Sequence, residues 1–465
     1  MSRERTGSNS TLRRAWLWGA VAAIVAVAVT ACGGSSSAGG GGSGSSSSSQ
    51  QKVKIVYFNA RQADPAEQAL VKKYMQEHPN VTISYQSSTQ SGIGGSDTNA
   101  IASLTFNVQA HNEIDLAKVE VTRTPLELAR SNAAMNLNKV DASAVKGQLS
   151  QLLATNMVSF ANGVWALPYE NDPFGLVYNG AMFQQAGIKS PPKTWDQWRQ
   201  ANKALKQKFP NAWPVCLPIN NLAKTQPLVW GAGGTYWDRD ILPTKANFQN
   251  QGIKDGYSFI QEWSQNGWMN NSELTTTNAT QWMVSHKCAS EVYSANSAQT
   301  LAFNDPSTDW KVATLPAKDS SHKPTNFVGG SALMIPSTAK YPKAALDFAR
   351  WLTSHEGQNL KYGVDKSLGL TRQDIGQENL PANKTTVQQV SQDPNWKQAL
   401  ATANVPTRVS GISPAYSKAY QLLADMQERI LLKHTNIDQE LAATQEQVQQ
   451  LLDQASQQNP QLYSK

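Results

Sequence analysis

The chain has 465 residues, of which 40% are apolar and 16% charged. That length exceeds what one compact core accommodates, so two or three domains are expected, and the composition is that of a globular chain rather than a disordered one. The formal charge of +7 is concentrated at the N-terminus: residues 1–31 carry four arginines and one glutamate, their removal leaves +4, and no long Lys/Arg run remains to bind nucleic acid.

Arg3, Arg5, Arg13 and Arg14 precede an apolar run that ends in Val29-Thr30-Ala31-Cys32-Gly33. The run is short for a membrane span and stops at small residues, as a cleaved export signal does. The segment resembles a bacterial lipobox, in which the cysteine is acylated and becomes the new N-terminus. That resemblance implies a lipoprotein signal peptide over 1–31 and lipidation at Cys32, and two or more acyl chains anchor a protein stably. Residues 33–49 are almost all Gly and Ser, so 32–51 reads as the lipidated cysteine and a flexible tether. Cys216 and Cys288 remain, an even pair suited to a disulfide outside the cytoplasm, with two buried free thiols as the other reading.

Residues 52–58 alternate and then run apolar, as a buried strand does. Asp64-Pro65-Ala66-Glu67 opens a helix with an N-cap, a proline in the first turn and an early acid; Ala66, Leu70 and Tyr74 share one face, and Pro79 closes it. Residues 81–85 form a second strand, making a βαβ unit and implying a parallel sheet. Further strands are expected at 165–169, 174–178, 214–217, 289–293 and 332–335. Thr194-Trp195-Asp196-Gln197 is a capping box, Pro342 opens an amphipathic helix, and a polar helix runs from Asn436 to Leu452.

The chemistry points to binding. The six histidines are scattered, with no HExxH and no Cys/His zinc spacing, and GxSxG, P-loop and GxGxxG motifs are absent, so no metal, cofactor or catalytic residue is assigned. Glu170 with Asp172 is the candidate carboxylate pair for acid–base glycoside chemistry, although such pairs serve more often as surface or sugar-binding groups.

The body resembles family 1 of the extracellular solute-binding proteins, the large group that includes maltose-binding protein. The resemblance runs from about Lys52 to Leu452. It is carried by Gly163-Val164-Trp165-Ala166-Leu167-Pro168-Tyr169 with Leu176-Val177-Tyr178-Asn179, by Phe183-Gln184-Gln185-Ala186-Gly187-Ile188, and by Pro192-Lys193-Thr194-Trp195-Asp196-Gln197-Trp198. Gly329-Gly330-Ser331-Ala332-Leu333-Met334-Ile335, running into Ala345-Leu346-Asp347-Phe348 and Leu352-Thr353, completes it. Two positions depart: Asn112 stands for a usual glycine, and Ser294-Ala295-Asn296 replaces a Gly-x-Trp, so an expected stacking tryptophan is absent.

The resemblance implies a two-lobe α/β fold with a hinge and a central ligand cleft: lobe one from 52–170 plus 328–382, lobe two from 171–327 plus 383–457, with crossovers near 169–173 and 326–330. It implies a monomeric, extracytoplasmic component of an ABC importer on the outer face of the cytoplasmic membrane. Its partners would be permease subunits and a small polar ligand, a mono- or oligosaccharide. A receptor for a membrane sensor and an exported hydrolase are the alternatives. Ligand-binding candidates are Asn59, Arg61 and Gln62 after the first strand, Glu120, Asn171 and Asp172, Tyr293 with Ser294 and Asn296, and Gly329, Gly330 and Ser331. Asn220, Asn221, Trp230, Arg408 and Tyr416 extend the set. Trp195, Trp198, Trp263 and Trp282 read as core. Carboxylates, amides and Arg match sugar hydroxyls, and aromatic faces match sugar C–H bonds.

Overall fold

The computed structural model describes residues 52–59, 64–87, 104–105, 107–110, 113–270, 276–367, 380–392, 402, 405–409 and 411–464. Cys32, Arg61, Gln62 and Asn112 lie outside the described residues, as do the signal and the tether.

β1 (Val53–Asn59) pairs in parallel with β2 (Val81–Ser87), with Val53 opposite Val81 and Asn59 opposite Ser87. The helix between them, Pro65–Glu77, is capped as expected: the Asp64 side chain accepts from Ala66 N at 2.9 Å. β3 (Leu116–Glu120) lies parallel on the other side of β1 and pairs antiparallel with β9 (Asn326–Met334). A small hairpin, β4 (Ser159–Phe160) and β5 (Gly163–Val164), precedes β6 (Leu167–Asn179).

β6 organises the molecule. The sequence reads as two strands with a crossover between; the structure joins them into one strand, all thirteen residues of which are buried. Its first half pairs with β9, from Leu167 opposite Leu333 to Pro173 opposite Val328. Its second half pairs with β7 (Ser290–Ser294) and β8 (Trp310–Ala313). Pro173 falls where the partner changes, a position at which a missing N–H is tolerated. β10 (Leu380–Pro381) adds to β6, and β11 (Thr407–Arg408) to β9. β6 and β9 thus cross between two lobes side by side.

The cores divide accordingly. In lobe one, Ile55 and Tyr57 pack with Leu70, Tyr74 and Phe348 on one side of the sheet, while Phe58, Val119, Leu126 and Ala129 pack on the other. In lobe two, Trp198, Phe259 and Trp263 meet Leu423, Val448 and Leu452 of the C-terminal helices, and Val177, Met283 and Trp310 fill the opposite face. Burial of such aromatic and aliphatic surface, at about 25 cal/mol per Å2, is the main favourable term.

Two local expectations differ. Pro214–Leu217 forms isolated bridges, Val215 with Met269 and Cys216 with Glu291, rather than a ladder, because Pro214 and Pro218 flank it without N–H donors. Trp282 is not core: it is half-buried, stacked on Trp213 at 4.8 Å between ring centroids. Just past β10, where the chain passes between the lobes, Asn383 N donates to Gln358 Oε1 at 2.7 Å and Thr386 Oγ1 lies 2.9 Å from His355 Nδ1. Among the described residues no helix is long and apolar enough to cross a membrane.

Candidate functional site

The site begins where β6 and β9 change lobes. Asp172 lies opposite Gly329 and is buried. Its Oδ1 accepts from the Ser294 hydroxyl and, at 3.3 Å, from Asn296 Nδ2. Asn296 N donates back to Ser294 Oγ at 3.2 Å, and Ala295 N to Pro173 O at 2.9 Å. The turn after β7 is thereby fastened to the hinge strand. Two further acceptors, Asn296 Oδ1 and Asn171 Oδ1, are buried without a hydrogen-bond partner. An unpaired buried polar atom costs about 1–3 kcal/mol, and Asn296 Oδ1 bears that cost beside a carboxylate.

Aromatic rings flank this polar centre. Phe174 meets Tyr293 edge-on at 5.6 Å and Phe327 at 5.0 Å. Tyr293 rests on Lys224, whose Nζ lies 3.7 Å from the ring centroid. Lys224 is fully buried and ion-paired with Glu291 of β7. Burial pulls the Lys224 ammonium down and pushes the Glu291 carboxyl up, each opposed by the partner's charge. Trp230 is buried under the Arg408 guanidinium at 5.6 Å, and Arg408 is held by Asp240 through Nε at 3.0 Å.

The lobe-one side of the hinge is a buried ion network. Lys118 Nζ lies 2.7 Å from Glu67 Oε1 and 2.8 Å from Glu170 Oε1. Ser331 donates to Glu170 Oε2 at 2.7 Å, and Lys361 joins Asp365 at 2.9 Å and Asp64 at 3.5 Å. Glu67 Oε2 receives Asn59 Nδ2 at 2.9 Å, Tyr85 OH at 3.0 Å and Tyr57 OH at 3.2 Å. Burial alone raises a carboxyl; at Glu170 the two lysines and the Lys118 and Ser331 hydrogen bonds outweigh it and hold the group at about 2. At Glu67 burial prevails, and its pKa is raised. The carboxylates of Asp64, Glu67 and Glu170 come within 4.8 Å of one another, and their charge is partly compensated from within the chain by Lys118, which bonds two of them, and by Lys361 beside Asp64.

The candidates therefore separate. Asp172, Ser294, Asn296 and Tyr293 meet at the hinge. Asn59 and Ser331 turn toward the ion network. Asn221 caps the helix Leu222–Trp230 through Ala223 N at 3.1 Å, and Asn220 offers its carbonyl to Tyr420 OH at 3.2 Å. Glu120 closes the turn after β3, accepting from Thr122 N at 2.6 Å and Arg123 N at 3.1 Å. Tyr416 lies 5.6 Å from Tyr420, ring to ring. Gly330 has φ +130° and packs so close to the Glu170 carbonyl that no Cβ fits. Sequence reasoning passed over Lys118, Glu67, Lys224, Glu291, Phe174 and Phe327. A lysine inside the apolar run Leu116-Ala117-Lys118-Val119 was the available signal, since a charge in a buried strand needs a partner.

The sequence pattern of the bacterial extracellular solute-binding proteins matches residues 59–359, and the chain belongs to that family. No functionally curated relative matches it. Among solved structures it is similar to the sugar-binding protein MalE of Xanthomonas citri, with TM-score 0.71 and 16% identity over 86% of this chain and 98% of that one. UgpB of Mycobacterium tuberculosis, in complex with glycerophosphocholine, gives TM-score 0.70 and 16% identity over 86% and 98%. An ABC transporter solute-binding protein of Thermotoga lettingae, bound with alpha-D-tagatose, gives 0.68 and 18% over 86% and 99%. At these identities the likeness establishes the fold, two lobes about a hinge.

Proposed function

We propose that the protein is the lipid-anchored, extracytoplasmic binding component of an ABC importer, and that it captures a mono- or oligosaccharide between its lobes. The observation that carries the ligand class is the pairing of the Asp172 carboxylate with the partnerless Asn296 Oδ1, beside the rings of Tyr293, Phe174 and Phe327. Hydroxyls donate to the acceptors, and a sugar's C–H face suits the ring faces. Solved structures of the same fold include complexes with alpha-D-tagatose and with maltotetraose, which supports this reading.

Lobe one would comprise 52–170 and 328–382, lobe two 171–327 and 383–457, swinging about β6 and β9. Cys32 would carry the lipid, residues 33–49 the tether, and the permease would receive the loaded monomer. Asp172 would bind and position the ligand, Glu170 would stay in the lobe-one ion network, and no bond would be made or broken.

A thermal-shift screen across sugars, polyols, sugar phosphates and amines tests the ligand class. A ligand at a hundred times its Kd stabilises by about 2.7 kcal/mol. Stabilisation by amines or phosphates alone would overturn the sugar assignment, and turnover of a glycoside would overturn the binding role. Mass spectrometry of the membrane-extracted chain should find an acylated Cys32 at its N-terminus; an intact 1–31 segment would remove the anchor.

A further inference from the structure

The last turn of the chain lies apart from the lobe that carries it. The helix Ile437–Gln458 belongs to lobe two: Leu441, Val448, Leu452 and Ala455 are buried in that lobe's core. The helix stops at Asn459, whose Nδ2 caps it on Ala455 O at 2.8 Å, and Pro460 starts a short turn, Pro460–Tyr463. Leu462, 5% exposed, then joins the apolar cluster of lobe one, with Leu126, Ala129, Ala133 and Met157, and Tyr463 packs against the same cluster.

A second lobe-two segment enters that cluster beside it. The loop between the helices Leu222–Trp230 and Gln251–Gln265 presents Leu242, 4% exposed and held at φ +52°. A positive φ on a residue that carries a Cβ is strained and persists only where its surroundings fix it. Here Leu242 N donates to Ile412 O at 2.7 Å, Arg239 Nε donates to Leu242 O at 2.6 Å, and the Arg239 guanidinium lies 6.0 Å from the Tyr463 ring centroid. A groove of about 440 Å3 reaches Asn459, the residue before the turn. Arg123 and Glu127 line it from lobe one, and Lys418, Gln454 and Gln458 from lobe two. Besides β6 and β9, the described residues of the two lobes thus also meet at an apolar seal with a polar groove near Asn459.

We propose that Pro460–Tyr463 is a strap: carried by lobe two and seated in lobe one, it limits how far the lobes swing apart about the hinge. Opening the cleft would lift Leu462 from its cluster and expose apolar surface to water, which is unfavourable. The strap therefore biases the unliganded protein away from wide opening. Proline at the first position of the turn and the Asn459 cap fix where the chain leaves the lobe-two helix, so the strap has little slack.

Hydrogen exchange on the unliganded full chain tests this without any ligand, so its outcome is independent of the sugar assignment. The comparison is with a chain ending at Asn459 and with Leu462→Ala. Exchange should become about tenfold faster in the helix Thr124–Arg130 and at the Asn296 amide by the hinge, while the lobe-two helix Gln251–Gln265 keeps its protection. Acceleration confined to 238–242 and 407–412, or none at all, would overturn the strap. If the truncated chain loses protection in Gln251–Gln265 as well, it has unfolded, and Leu462→Ala alone decides by the same pattern.

Discussion

Lys118 Nζ lies 2.8 Å from Glu170 Oε1, joining a central strand of lobe one to the strand that leaves for lobe two. The same ammonium holds Glu67, and Lys361 Nζ lies 3.9 Å from Glu170 Oε1. Removing a buried charge that compensates two others is costly, so Lys118→Met should destabilise by about 3–5 kcal/mol. Urea unfolding measures it, and a loss below about 1 kcal/mol would mean the pair is hydrated rather than buried.

Glu170 gives the acid limb of the stability curve a definite sign. Its carboxyl sits at about 2 in the folded state, against about 4.3 in an unfolded chain. The folded protein binds this proton less readily, so the contribution is present above about pH 4 and lost as pH falls toward 2. Glu67, raised by burial, works the other way: its contribution is full below its unfolded value and declines as pH rises through its folded one. Glu170→Gln should flatten the fall between pH 4 and 2 while lowering stability at neutrality. Melting temperatures across pH check this; an unchanged acid limb would assign it to other carboxylates.

Gly330→Ala places a methyl group against the Glu170 carbonyl at φ +130°, where L side chains are strained. A loss of more than about 2 kcal/mol is expected, read by chemical denaturation. Gly187→Ala, also at positive φ but with open space around it, supplies the control and should cost less.

The Cys216–Cys288 bond closes a loop of 72 residues, with Cα atoms 5.7 Å apart. The chain-entropy model gives such a loop about 4 kcal/mol. Peptide mapping without reductant should recover the linked pair, and Cys216→Ser with Cys288→Ser should lower stability by about 2–5 kcal/mol. Equal stability with and without reductant would mean the thiols are free.

Asp172→Asn keeps the shape and an acceptor for Ser294 but removes the charge. With the sugar that stabilises the protein most in the thermal-shift screen, calorimetric titration should find Kd raised about tenfold or more, since charge-assisted bonds contribute about 1.5–3 kcal/mol. An unchanged Kd removes Asp172 from the site.

Much of the framework was legible because it is local. Asp64 and Thr194 cap the helices they were expected to cap, each through a hydrogen bond two or three residues away. Alternation marked β1 and β2, and the order of the family motifs marked the hinge. The functional roles were less legible, because a buried charge takes its meaning from a distant partner. Glu67 reads as a first-turn acid, yet Lys118, 51 residues on, makes it the hub of a network. Ser331 and Asn59 read as ligand groups; Glu170 and Glu67, brought in by the sheet, engage them instead. Asp172 could be placed at the hinge from its motif, but its link to Ser294 spans 122 residues. Sequence determined where the chain turns, crosses and caps itself, since those choices depend on neighbours along the backbone. Only the tertiary structure decided which charges are paired and which buried acceptors lack a partner, since desolvation and Coulomb energy depend on distances that strand pairing sets.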